Sequence, residues 1–517
     1  MARDLMTSAF LRDPQDLAQL AERGITLAEA ERQLRLLARP TAWARLERPC
    51  TIGDGIVRLS EARAEALQQV HARAAAAGRV SAFVPASGVA SRMFRELLAA
   101  RDLPGELAPD EVRARTDLTA RELVSFMDRL PRFAFADALA EILARSGRSL
   151  ETLRAHGPWR AILDALLDPT GLDAARAPKG LLPFHREHGV VRTAFEEHVV
   201  ESCALASDAH GTRALDVTVS VEHRAGFERL LAERAPDLRL RFGGDWNVAF
   251  SEQHPNSDTL AADPAGGPFR DERGRLLFRP SGHGALLANL AEARRDLVLL
   301  KNIDNVCVDR LKPGTARWSR ALVGLATELS QRVHAACARL AAGEAGALDD
   351  ARALAAAELG LDLARAGSSG EAIALLDRPL RVCGMVANMG EPGGGPFWVR
   401  DGATVSRQIV EGAQVDPHSD EQQAILHRST HFNPVFMAAA LRDAHGRPHE
   451  LARFVDEAAV IVTRKSHAGR ALLALERPGL WNGAMARWHT LFVEVPLDVF
   501  NPVKTVFDLL RPEHQGD

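Results

Sequence analysis

Lysine is scarce and tyrosine is missing. Of the 64 basic residues in this 517-residue chain only five are lysines, Lys179, Lys301, Lys312, Lys465 and Lys504, and no tyrosine occurs. With the recurrent alanine runs, this is the mark of a GC-rich coding bias that draws lysine toward arginine, so a position that has stayed lysine stands out. Cysteine is rare too. Cys50, Cys203, Cys307, Cys337 and Cys383 are scattered, odd in number and free of any CxxC pair. That argues against a disulfide framework or a zinc site, and for reduced thiols in a cytoplasmic setting. No uncharged apolar run reaches the roughly 18 residues of a membrane span. The opening Met1-Ala2-Arg3-Asp4-Leu5-Met6 has charges where a leader would be apolar, so no secretory signal is expected. Neither sign of charge dominates: the net charge is −4 and the pI is near 6.5, which gives no overall pull toward nucleic acid or an anionic membrane.

What is there is an ordinary globular composition, 46% hydrophobic and 26% charged, in a chain long enough for about three domains' worth of core. Residues 1–78 read as a helical region, with apolar spacings of three and four over Asp13–Leu20 and over Leu27–Leu37 after Thr26 as a candidate N-cap. Residues 79–310 read as an α/β core interrupted by a helical insertion at about 106–170. A second helical insertion spans 311–378, and 379–517 returns to the core. Strands are expected at Val80–Pro85, Ala214–Val221, Leu238–Phe242, Val248–Phe250, Leu297–Leu300, Leu380–Val386, Val455–Thr463 and Thr490–Val495, with helices between them. Strands alternating with helices predict a mostly parallel sheet.

Chemistry is suggested first by the strand–loop–helix segment Phe83-Val84-Pro85-Ala86-Ser87-Gly88-Val89-Ala90-Ser91-Arg92-Met93. Its small residues let backbone N–H groups approach a ligand, and a helix starting near Ser91 would add its positive dipole end. Arg92 could then reach the same anion with its fork. The alternative is a plain tight turn, since neither the P-loop nor the GxGxxG spacing is present. Lys179 lies in a loop bounded by Pro178 and Gly180, where a point charge can meet a phosphate. Asp304 follows the Leu297–Leu300 strand, at the kind of sheet edge where ligands bind, and a carboxylate there suits Mg²⁺ carried with substrate phosphates. Its alternative is a capping residue in a turn.

Several of these segments resemble known families. Pro85 to Met93 resembles the glycine-rich signature loop of sugar-phosphate nucleotidyltransferases, and Pro178-Lys179 their second phosphate-binding motif. Gln253, Pro280-Ser281-Gly282-His283-Gly284 and Ile303-Asp304-Asn305 follow the order found in eukaryotic-type UDP-sugar pyrophosphorylases. Phe500-Asn501-Pro502-Val503-Lys504-Thr505-Val506-Phe507-Asp508-Leu509-Leu510 is similar to their C-terminal lysine motif. The chain as a whole resembles a bacterial family, the domain of unknown function 4301, through Leu20–Ile25, the Ser87-Gly88 loop, Gly390–Trp398 and Pro478–Met485. The loop departs from the nucleotidyltransferase signature at Ala90, where glycine is usual and where alanine would not adopt a left-handed backbone cheaply.

The resemblance implies a Rossmann-like nucleotidyltransferase fold of the glycosyltransferase-A type, with a mostly parallel sheet, a helical N-terminal region and helical insertions. It implies Mg²⁺-dependent attack of a sugar 1-phosphate on the α-phosphate of a nucleoside triphosphate, with release of pyrophosphate. Ser87, Gly88, Ser91 and Arg92 would face the triphosphate and Lys179 its α- or β-phosphate, while Asp304 would hold the metal. Gln253, Gly282 and His283 would read the base. Lys504 would neutralise the sugar phosphate, and Glu391 and Asn433 would touch the sugar. The expected partners are small molecules, with neither nucleic acid nor membrane. Two alternatives share the fold: a non-catalytic nucleotide-sugar-binding protein and a glycosyltransferase.

Overall fold

The strand predicted at the first apolar run is present: Val80–Pro85 is buried over its first five residues, as a strand covered on both faces must be. The computed structural model describes residues 11, 13–39, 42–364, 366–390 and 393–516. The class is the expected α/β, with a mostly parallel central sheet and many helices. Two compact units partition the chain. The first comprises Met1–Ala74, Glu252–Leu300 and Ser319–Pro496, the second Ala75–Ser251, Lys301–Trp318 and Leu497–Asp517. Among the described residues no helix is long and apolar enough to cross a membrane.

In the first unit the strands lie in the order Thr51–Ile52, Gly55–Val57, His489–Glu494, Leu380–Ala387, Phe436–Ala440 and Leu297–Lys301. Leu380–Ala387 runs parallel to His489–Glu494 and antiparallel to Phe436–Ala440. Helix Leu27–Ala38 begins where expected, because the Thr26 hydroxyl accepts the Glu29 N–H at 3.2 Å. The stretch after it is not helical, however: short strands at Leu46–Pro49, Thr51–Ile52 and Gly55–Val57 precede helix Glu61–Ala76. The strand expected at Val455–Thr463 is displaced to Ile461–His467, because Leu451–Phe454 forms a 3-10 turn ahead of it.

In the second unit Val80–Pro85 pairs parallel with Thr212–Val219, and Asp245–Glu252 follows in strand order. The insertion is helical as predicted, in five α-helices from Pro109–Arg113 to Trp159–Leu167. One expectation fails outright. Leu238–Phe242 is not a strand but the last turn of helix Arg224–Phe242. Its alternation of leucine and arginine imitates a half-buried strand, yet Leu240 is 87% exposed, so no sheet face claims it.

Candidate active site

Four segments distant in sequence are knitted together inside the second unit. The turn after Val80–Pro85 is stitched to the Lys179 loop: Ala90 N–H donates to Ala177 O at 3.0 Å and Lys179 N–H to Gly88 O at 3.1 Å. The C-terminal lysine motif is stitched to the Asp304 loop, with Val503 N–H donating to Asp304 O at 3.0 Å and Asn501 N–H to the Asn305 side chain at 2.9 Å. It also reaches the first turn, since Val506 N–H donates to Met93 O at 3.0 Å.

The side chains converge with their backbones. Lys179 Nζ donates to Asp304 Oδ2 at 2.8 Å and to Val503 O at 2.7 Å. Lys504 Nζ donates to the same Oδ2 at 2.9 Å. Asp304 and Lys179 are enclosed, their side chains 9% and 13% exposed, whereas that of Lys504 is 55% exposed. Burial alone would push the Asp304 carboxyl up, but the ammonium groups of Lys504 and Lys179 outweigh it and hold the group below the usual carboxylate range. Burial pulls Lys179 down in spite of Asp304, and the charges of Lys504 and Arg92 add to that pull. Two ammonium groups on one carboxylate leave a local excess of positive charge, with Arg92 contributing to the same field. A local excess of positive charge attracts anions.

The turn at residues 87–92 is open to solvent. Gly88, Ser91 and Arg92 are exposed and Ser87 half-buried, and a Cβ on Gly88 would meet nothing within 4 Å. The expected helix is shorter, though. Ala90–Arg92 is a 3-10 turn and the α-helix runs only over Arg95–Arg101, so Arg92 precedes the helix and no dipole end is available to the loop. Ala90 has an ordinary negative φ and is fully buried, so the alanine that departs from the signature is unstrained. Gly180 has a packing reason: a Cβ there would lie 2.6 Å from Phe227 Cε1. That ring is itself held by Phe195 at 5.4 Å and Phe250 at 6.2 Å between centroids. Gly180→Ala is therefore expected to lower stability by about 1–3 kcal/mol, read as a shifted denaturation midpoint, and an unshifted midpoint would show that the ring can yield.

All five lysines are ion-paired. Lys301, only 2% exposed, meets Glu201 at 2.7 Å, and Lys312 meets Glu197 at 2.6 Å. Lys465 meets Glu476 at 3.4 Å. Of the five, only Lys179 and Lys504 share Asp304. The helix that supplies Glu197 and Glu201, Ala194–Leu205, is not among the elements expected from the sequence. Its signal is the capping box Thr193-x-x-Glu196, followed by acids on an otherwise apolar helix.

The remaining candidates belong to the first unit. Gln253 donates through Nε2 to Ser257 Oγ at 3.2 Å. Gly282 has φ +77°, a conformation glycine takes at little cost. His283 accepts the Leu480 N–H on Nδ1 at 2.9 Å and stacks on Trp481, ring centroids 3.9 Å apart. Burial pushes it down to about 4, so the ring is neutral at neutral pH. Asn433 is buried, with Nδ2 donating to Gly384 O at 2.9 Å and Oδ1 accepting the Val435 N–H at 3.1 Å; its polar atoms hold backbone. Glu391 lies outside the described residues.

Among the described residues no three His, Cys, Asp or Glu side chains gather as a metal cage. Asp304 stands as a single carboxylate beside two ammonium groups. That donor set fits Mg²⁺ only in company with phosphate oxygens, which is the usual manner of Mg²⁺ at nucleotide sites.

A family model described as "Domain of unknown function (DUF4301)" matches residues 13–515. No curated protein matches the sequence. The solved structures that match include the uridine diphosphate N-acetylglucosamine pyrophosphorylase from Trypanosoma brucei in complex with inhibitor. It is 14% identical with a TM-score of 0.49, over 99% of this chain and 84% of that one. UDP-glucose pyrophosphorylase from Leishmania major is 12% identical with a TM-score of 0.44, over 98% of this chain and 78% of that one. UDP-glucose phosphorylase from Trypanosoma brucei is 13% identical with a TM-score of 0.46, over 98% and 78%.

Proposed function

The chain belongs to the family of the domain of unknown function DUF4301, and we propose that it is a nucleotide-sugar-forming pyrophosphorylase on a Rossmann-like, nucleotidyltransferase-type core. The observation that carries this reading is the meeting of Lys179 and Lys504 on Asp304, on segments hydrogen-bonded to the open turn that holds Ser87, Gly88 and Arg92. In the proposed reaction an oxygen of a sugar 1-phosphate attacks the α-phosphorus of a nucleoside triphosphate. The bond to the β-phosphate oxygen breaks, and pyrophosphate leaves with that electron pair. Such a step asks for positioning and charge neutralisation more than for covalent help.

Lys179, fixed by two hydrogen bonds, serves as the stationary cation for the α- or β-phosphate. Arg92 and the backbone of Ser87, Gly88 and Ser91 bind the triphosphate. Lys504, exposed and held by a single bond, neutralises the sugar phosphate. Asp304 would hold Mg²⁺ together with phosphate oxygens, and the ion would supply neutralisation of the charge on the transferring group. The roles of Gln253, Gly282 and His283 toward the base, and of Asn433 and Glu391 toward the sugar, come from the resemblance and belong to the same proposal. The five free cysteines suit the cytoplasmic setting it implies.

The test is a panel of nucleoside triphosphates crossed with sugar 1-phosphates in the presence of Mg²⁺, read as pyrophosphate release. At least one pair is expected to turn over, and chelation of the metal is expected to stop it. Tight nucleotide-sugar binding with no product from any pair would replace the enzyme by a nucleotide-sugar-binding protein. Transfer to an acceptor without pyrophosphate release would make it a glycosyltransferase.

A further inference from the structure

Asp304 is well placed only if its loop is held still, and one helix holds that loop at three points. Ala194–Leu205 opens on the Thr193/Glu196 capping box and buries nine of its twelve residues, Glu197 and His198 among them. Interior charges of this kind are kept only where they are paired. Glu201 grips Lys301 through both carboxylate oxygens, at 2.9 and 2.7 Å. One turn earlier Glu197 pairs with Lys312 at 2.6 Å, and Lys312 also donates to Cys307 O at 2.7 Å. Between these two ends His198 Nε2 lies 3.2 Å from Ile303 O, the carbonyl immediately before Asp304. Burial pushes His198 down to about 4, so the ring is neutral with one N–H, and a carbonyl partner at Nε2 places the proton there.

We infer that Glu197, His198 and Glu201 are positioning residues that present Asp304 to the phosphate site by clamping residues 301–312 at both ends and at Ile303. The inference rests on the reading of Asp304 as a carboxylate that faces phosphate and metal. Lys301 and Lys312 are then the handles by which the helix holds the loop, whereas Lys179 and Lys504 point at what the loop presents. Supporting contacts of this kind around a metal-binding group are commonly worth ten- to a hundredfold in affinity.

Two near-isosteric variants test it, Glu201→Gln and His198→Phe, so that a folding failure in one leaves the other. Hydrogen exchange by mass spectrometry, without any ligand, is expected to show residues 302–307 exchanging about tenfold faster or more in either variant, with other segments unchanged. Calorimetric titration with inorganic pyrophosphate and Mg²⁺ is expected to show affinity reduced about tenfold. In an Asp304→Asn background the same substitutions are expected to lower that affinity no further, because a group that acts only through Asp304 has nothing left to act on. Unchanged exchange at 302–307, acceleration spread evenly over the chain, or an additive loss in the Asp304→Asn background would each overturn the positioning role. Failure of the wild-type chain to bind pyrophosphate with Mg²⁺ would instead overturn the proposed function. Exchange at 302–307 would still decide whether the helix holds the loop.

Discussion

Asp304→Asn is expected to lower kcat of the Mg²⁺-dependent reaction by a factor of about 10² to 10³, while making metal-free pyrophosphate binding tighter. The two effects have opposite signs because Asp304 plays against the anion until a metal arrives. Its carboxylate lies 2.8 and 2.9 Å from the two ammonium groups and cancels part of their field. Removing one negative charge at about 4 Å from an anion is worth about 1–4 kcal/mol for an effective dielectric constant between about 80 and 20. The half-exposed setting of Lys504 favours the low end, an affinity gain of about fivefold to tenfold. Stability is expected to fall only modestly. Lys179 loses its carboxylate partner but keeps its bond to the Val503 carbonyl, and the asparagine oxygen that replaces the carboxylate can still accept from its ammonium group. Calorimetry with pyrophosphate, with and without Mg²⁺, separates the terms. If asparagine weakens metal-free binding as much as metal-dependent binding, Asp304 is a structural partner of the lysines and not the group that takes the metal.

The parts of this site that can be read in the sequence are those where chemistry and local pattern coincide. Ser87 to Arg92 combines small residues with a preceding apolar strand, and both follow from short-range rules. Lys179, Asp304 and Lys504 stand out because a lysine is conspicuous in this composition and because a carboxylate after a buried strand sits at a sheet edge. What cannot be read is whatever depends on a partner far along the chain. Nothing near Lys301 or Lys312 announces that a helix a hundred residues earlier supplies their carboxylates. That helix carries acids in its interior, where a pattern of polar and apolar residues would place a solvent face.

The same limit explains the errors in the fold. Leu238, Leu240 and Phe242 alternate with Arg239 and Arg241, which is a strand's period, yet the residues continue helix Arg224–Phe242. The hairpin Gly395–Asp401 with Thr404–Val410 is a different case: it is absent from the expected strands although its signal, Asp401-Gly402 between two β-prone runs, is local. The helix expected to begin at Ser91 begins at Arg95. The N–H of Ala90 is drawn to the Lys179 loop, and the chain turns once in a 3-10 conformation before the helix starts. In the proposed reaction any charge that this turn offers an anion then comes from side chains and not from a helix dipole, which places more weight on the two lysines.

Replacing each of those lysines by alanine should separate them. Lys504 is 55% exposed and makes one bond to Asp304, and Asp304 keeps Lys179 when it is gone. Lys504→Ala is therefore expected to change stability by less than about 1 kcal/mol. Turnover should fall by about 10² to 10³, because the cation proposed for the sugar phosphate is lost. Lys179 is enclosed, with bonds to both Asp304 and the Val503 carbonyl. Lys179→Ala leaves that carbonyl without its partner and opens a void, so about 2–4 kcal/mol of stability should go together with the activity. Thermal denaturation and steady-state kinetics on the two variants make the comparison. The decisive quantity is the ratio of activity lost to stability lost, which the phosphate reading makes far larger for Lys504. Full turnover in Lys504→Ala beside a merely destabilised Lys179→Ala would mean that both lysines serve only to neutralise Asp304, and that phosphate is bound elsewhere.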